Sequence, residues 1–134
     1  MQSAAQSYAS MAQKTGNPRE LEAQLLLRAA AKMKVVSEDA AATREQIIDA
    51  IRYNRRLWTV FADTVSKSEN PLPDVIKQNI TSLALFIMRQ SIAAEAEPNA
   101  QRLAVLISIN REIAAGLAAS AAAAEAPTVK ADAA

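Results

Sequence analysis

Residues 44–66 read REQIIDAIRYNRRLWTVFADTVS. At the helical period, Ile47, Ile51, Trp58, Phe61 and Val65 share one face, with Leu57 at its edge and Asn54 in its middle. Immediately ahead, Thr43-Arg44-Glu45-Gln46 has the form of a capping box, in which the threonine and glutamine side chains each satisfy a backbone N–H of the first turn. The segment therefore predicts a long amphipathic helix with one polar residue on its buried side. With the alanine-rich, glycine-poor and β-branch-poor composition of the chain, such a helix reads as part of an all-α fold.

Working toward the N-terminus, residues 37–43 form an acidic, alanine-rich stretch without glycine or proline. The chain there either breaks between the caps Ser37 and Thr43 or continues as one bent helix. Leu25, Leu26, Ala29, Met33 and Val36 form the stripe of a preceding helix, with Arg28, Lys32 and Lys34 off it. That helix starts sharply at Thr15-Gly16-Asn17-Pro18-Arg19-Glu20, where Gly16 ends one element, Asn17 caps the next and Pro18 suits a first turn. Ala4, Tyr8 and Met11 recur at helical spacing before it, as in a short first helix that needs docking to persist.

Toward the C-terminus, Glu69-Asn70-Pro71-Leu72-Pro73-Asp74 ends the long helix and opens a fourth, which runs to about Ala94. This fourth helix carries two stripes, Ile76, Ile80, Leu83 and Ile87 on one side and Thr81, Leu85, Met88 and Ile92 nearly opposite. It is either sandwiched between other helices or offers its second stripe to a partner. A turn around Pro98 precedes a fifth helix with Leu103, Leu106, Ile107, Ile113, Ala114 and Leu117 on one face and Asn110 at its centre. Beyond Ala118 the chain offers helix propensity with little to bury, so residues 119–134 read as a frayed or disordered tail. The prediction is an all-α, single-domain bundle of about five helices in residues 1–118.

Composition narrows the function. The 134 residues include 15 basic and 14 acidic side chains, no histidine and no cysteine. No Ser-His-Asp triad, thiol nucleophile, or nitrogen and sulfur metal site can be assembled from such a set, and Glu45 and Asp49 lack the histidines of a carboxylate di-metal site. Neither glycine, Gly16 nor Gly116, belongs to a phosphate-cradling loop, and a close packing contact would explain Gly116. The expectation is a binding protein without catalytic residues, metal or cofactor. A net charge of +1 provides no global field toward nucleic acid or an anionic membrane. The N-terminus lacks the basic start and apolar run of a secretory signal, and the longest strongly apolar run, residues 83–88, is too short to span a bilayer. The cytoplasm is the expected compartment.

Three groups of residues stand out as candidates. Asn54 and Asn110 sit on apolar stripes, where they either meet each other and fix helix register or receive a partner. Arg52, Arg55 and Arg56 lie within one turn and could meet phosphates or an acidic partner, although Glu45, Asp49 and Asp63 share the face of Arg52 and Arg56, with Asp49 placed to pair with Arg52. Thr81, Leu85, Met88 and Ile92 form the candidate partner face, which Val105 and Ile109 would extend if the fold brings them alongside.

The series Tyr8, residues 15–22, Tyr53-Asn54-Arg55-Arg56-Leu57-Trp58-Thr59-Val60-Phe61, Asn70-Pro71-Leu72-Pro73, Ser82-Leu83 with Phe86-Ile87, and Leu103 with residues 106–117 resembles the FlaF family of α-proteobacterial flagellar biosynthesis regulatory proteins. The likeness covers about residues 8–118. It implies a small helical cytoplasmic protein that supports flagellin production and export, by binding flagellin or by acting with the flagellin translation regulator FlbT. Three readings follow: a flagellin chaperone or adaptor that uses the second stripe; a regulator whose arginines contact flagellin mRNA; and a scaffold whose second stripe makes only a homodimer.

Overall fold

The computed structural model describes residues 3–6 and 17–125. These form an all-α domain in which four long helices, α1 (Pro18–Glu38), α2 (Arg44–Ser66), α3 (Asp74–Ala96) and α4 (Ala100–Glu125), follow one another with short connections and no strand among the described residues. Residues 4–6 are also helical and begin at a reciprocal cap: Ser3 Oγ accepts from Gln6 N at 3.1 Å, and Ser3 N donates to Gln6 Oε1 at 2.9 Å. Ala4 is buried in the common core. Tyr8, Met11, Gly16 and residues 126–134 lie outside the described residues.

Local chemistry explains the helix ends. Asn17 Oδ1 accepts from the backbone N–H groups of Arg19 and Glu20, and Pro18 occupies the first turn of α1. Between α1 and α2 the chain does break: Asp39 Oδ1 accepts from Ala41 N at 2.8 Å, and the Thr43–Gln46 capping box opens α2. Asn70 closes the next connection by accepting from Leu72 N at 3.0 Å while donating to Thr64 O at 3.4 Å. Asn99 Oδ1 accepts from Arg102 N at 2.9 Å and opens α4.

Packing is unequal. α1 lies against α4 along the longest contact and also against α2, while α3 leans chiefly on α2 and meets α4 only slightly. The core gathers Leu25, Leu26 and Met33 of α1, Ile51, Trp58 and Phe61 of α2, Ile80 and Ile87 of α3, and Leu103 and Leu106 of α4. Trp58 and Phe61 meet edge to face with ring centroids 5.5 Å apart.

Several expectations are corrected here. Of the two alternatives for α3, the sandwiched one does not hold: the helix leans chiefly on α2 and meets α4 slightly, and Leu85 and Ile92 on its second stripe remain 57% and 63% exposed. Ile76, at the start of the first stripe of α3, is 40% exposed. Gly116 has no close neighbour: a Cβ placed there would meet nothing within 4 Å. α4 continues past Ala118 to Glu125, and Ala121 is buried. Residues 100–123 of α4 are long and apolar enough to cross a membrane by length and composition, with mean hydropathy 1.4 over the relevant window. Much of that apolarity is alanine, and the face carrying Leu103, Leu106, Asn110, Ala114 and Leu117 is packed against the domain.

Candidate partner-binding surface

The structure brings Asn54 and Asn110 together, both fully buried. Asn110 Nδ2 donates to Asn54 Oδ1 at 2.7 Å and to the Leu26 carbonyl at 3.0 Å, while Asn110 Oδ1 accepts from Trp58 Nε1 at 2.8 Å. One amide thus joins α1, α2 and α4. Each bond has a single correct register, so the network resists sliding of the helices. Asn54 Nδ2 and the buried Ser91 Oγ have no hydrogen-bond partner among the described residues.

Arg52 and Arg55 do not present a free cationic ridge. Both reach across to Glu95 of α3: Arg52 Nε lies 2.6 Å from Glu95 Oε1, and Arg55 Nη1 pairs with Glu95 Oε2. Arg52 therefore pairs between helices and not with Asp49 on its own helix, because Glu95 enters the α2–α3 groove at hydrogen-bond distance. Burial opposes ionisation of Glu95, but the hydrogen bonds and charges of Arg52 and Arg55 outweigh it and hold the carboxyl below its ordinary range. Arg44 Nη2 donates to the carbonyls of Glu95 and Ala96, each at 3.1 Å, capping the C-terminal end of α3. Asp63 approaches Lys67 at 3.9 Å. Arg56 remains exposed, with no hydrogen bond or ion pair among the described residues. Trp58, the only tryptophan, is fully buried and offers no stacking surface.

On α3, Leu85, Ile92 and Thr81 are exposed and Met88 is half-buried. Thr81 Oγ1 donates to Lys77 O at 2.9 Å. Val105 is 41% exposed and Ile109 half-buried against the core. Both belong to a helix whose main partner is α1 and which meets α3 only slightly.

Two features were not singled out from sequence. Arg28, Lys32, Val35, Asp39, Asp49 and Tyr53 contribute to an open cleft of about 730 Å³ between α1 and α2, with Lys32 Nζ 5.0 Å from the centre of the Tyr53 ring. The other is Glu22, whose side chain is buried beneath Arg19 with Arg19 Nη2 donating to Glu22 Oε2 at 3.0 Å. Burial pushes its carboxyl up from 4.5 to about 7, against the lowering charge and hydrogen bond of Arg19. The i,i+3 spacing of the two residues is a signal open to sequence reading; the burial is not, because it depends on Leu57 and Phe61 arriving from α2 beside Glu22. No group of three or more acidic side chains is placed to hold a metal ion among the described residues.

No curated protein and no solved structure matches the chain. A family model described as "Flagellar protein FlaF" matches residues 4–117, which takes in the Asn54–Asn110 seam, the arginines of α2 and both stripes of α3. The match extends over most of the 134 residues, and the chain belongs to the FlaF family of flagellar proteins.

Proposed function

We propose that this protein is a non-enzymatic, cytoplasmic flagellin-binding chaperone or adaptor that couples flagellin synthesis to export and assembly. The observation that carries this reading is the outer stripe of α3, where Leu85 and Ile92 stand largely open to solvent on a helix whose opposite side builds the core. A small domain gains nothing in stability from apolar side chains left in water, so such a stripe is best understood as a docking face. Flagellins carry amphipathic terminal helices that assemble as coiled bundles, and an unassembled subunit needs those apolar stripes covered. Leu85, Met88 and Ile92, with Thr81, form a surface of that kind, to which Val105 and Ile109 are secondary. FlbT is the further partner the family suggests.

Direct binding of flagellin mRNA is the weaker reading, because Arg52 and Arg55 are engaged by Glu95 and Trp58 is buried. Titration of the purified protein with unassembled flagellin and, separately, with flagellin leader RNA at low and high salt separates the two. The expected result is flagellin binding that largely survives high salt, is lost in Leu85→Glu and Met88→Glu, and is weakened but not abolished in Arg52→Ala/Arg56→Ala. Salt-sensitive RNA binding lost only in the arginine variant, without flagellin binding, would overturn the proposal. Monomers of Leu85→Glu that handle flagellin normally would instead make the stripe a homodimer contact.

A further inference from the structure

The contacts between α2 and α3 fix their register. Arg52 and Arg55 meet Glu95 near one end, and Lys77 Nζ donates to Lys67 O at 2.8 Å near the other, so the two helices run antiparallel. Stepping along both from the Glu95 contact, at ~100° and ~1.5 Å per residue, brings Arg56 level with Ile92, Thr59 with Met88 and Asp63 with Leu85. Arg52 is turned to α3 by its contact with Glu95, Arg56 lies ~40° further round α2 on the side away from the core, and Met88, Ile92 and Leu85 lie on the matching side of α3. The arginine turn and the outer apolar stripe are therefore two banks of one groove on the far side of the α2–α3 pair from the core.

The charges along that groove are unequal. Glu95 is shared by two arginines, and Asp63 is approached by Lys67. Glu45 and Asp49 lie beyond the far end, in the first turns of α2. Beside Ile92 the flanking charges are Arg56 on the α2 bank and Arg89 on the outer edge of α3, both exposed and both without a hydrogen bond or ion pair among the described residues, while beside Leu85 the α2 bank carries the exposed Asp63 with Lys67 3.9 Å away, a pair of opposite charges with no net sign. By contrast, the cleft between α1 and α2 mixes Arg28 and Lys32 with Asp39 and Asp49, and Lys32 already sits over the Tyr53 ring.

We propose that the α2–α3 groove selects an amphipathic helix whose apolar stripe is bordered by carboxylates, with Arg56 and Arg89 as the two selecting cations. This rests on the reading of the α3 stripe as the partner face and adds the chemistry of the partner. The apolar contacts supply affinity, and the two arginines supply orientation and choice of partner, as rim charges do at protein interfaces.

The test uses the full chain and two synthetic helical peptides of about 20 residues that share one leucine stripe, bordered by glutamates in one and by lysines in the other. Fluorescence anisotropy should show the acidic peptide binding about tenfold more tightly than the basic one, with the preference shrinking in high salt. Arg56→Glu/Arg89→Glu should reverse the preference, and Leu85→Glu should abolish binding of both peptides. Equal affinities, no binding of the acidic peptide, or a preference that survives the charge reversal would overturn the inference. Loss of binding in Leu85→Glu alongside equal wild-type affinities would remove only the charge selection. Binding that persists in Leu85→Glu would instead remove the α3 stripe as the partner face, and the proposed function with it.

Discussion

Asn110 uses both atoms of its amide, whereas Asn54 uses one, and the difference separates two substitutions of the same chemistry. Replacing Asn110 by alanine strands the buried Trp58 N–H and removes two further bonds, at a cost of about 3 kcal/mol; Asn54→Ala removes one bond and an amide nitrogen that already lacks a partner, at about 1 kcal/mol. Urea denaturation of both variants checks the order, and equal losses would show that Asn110 is not the anchor. Glu22 makes a pH-dependent contribution of the opposite sign to an exposed salt-bridged carboxylate. Its carboxyl is displaced upward from 4.5 to about 7, so between those values the folded chain holds a proton that the unfolded chain has released. Stability therefore falls as pH rises from about 4.5 to 7 and levels off above, by a total on the order of 3 kcal/mol. Glu22→Gln should flatten that segment of the stability–pH profile. An unchanged slope would assign it to another group. The two asparagines were legible as seam residues because they interrupt apolar stripes, yet sequence left open whether they meet each other. Glu22 was not legible as buried, because nothing within one turn of it announces the side chains of α2 that cover it.

Among the helices, α2 was the most legible, since its caps and its stripe are encoded within a few residues of each other. Asn17 and Asn99 announce α1 and α4 equally locally. α4 departs from expectation at Gly116, which is exposed on a helix that continues for nine more residues and has room for a side chain. Glycine there has only its conformational cost, so Gly116→Ala should stabilise the protein by about 0.5–1 kcal/mol, read as a rise in thermal midpoint. No change, or destabilisation, would mean that Gly116 has a role outside the folded domain. In α3 both stripes were visible in the sequence, but only packing distinguishes them: Ile80 and Ile87 meet the core while Leu85 and Ile92 do not. The arginine turn shows the same division. Its spacing favoured a pair with Asp49 on the same helix, and the arrival of Glu95 from 43 residues away displaced that pairing from Arg52.

At the scale of the whole molecule, the order of packing decides what is left for a partner. α1 holds α4 and α2, and α3 hangs on the edge of α2, so the domain closes its core without covering the outer side of α3. The Leu85→Glu variant should for that reason keep its stability within about 0.5 kcal/mol of wild type while losing flagellin binding, whereas Ile87→Glu, at a fully buried position, should unfold the chain. Thermal denaturation of the two variants separates them; a Leu85→Glu protein that fails to fold would place Leu85 in the core and withdraw the docking face. The sequence by itself determined the all-α class, the main helix boundaries, the two-faced character of α3 and the residues that resemble the FlaF family, because capping and periodicity act over a few residues of contiguous chain. Only the tertiary structure decided which stripe of α3 is covered and that Arg52 and Arg55 are bound by Glu95. Those outcomes depend on contacts between residues tens of positions apart, such as Leu26 with Asn110 and Arg55 with Glu95, which local periodicity does not encode.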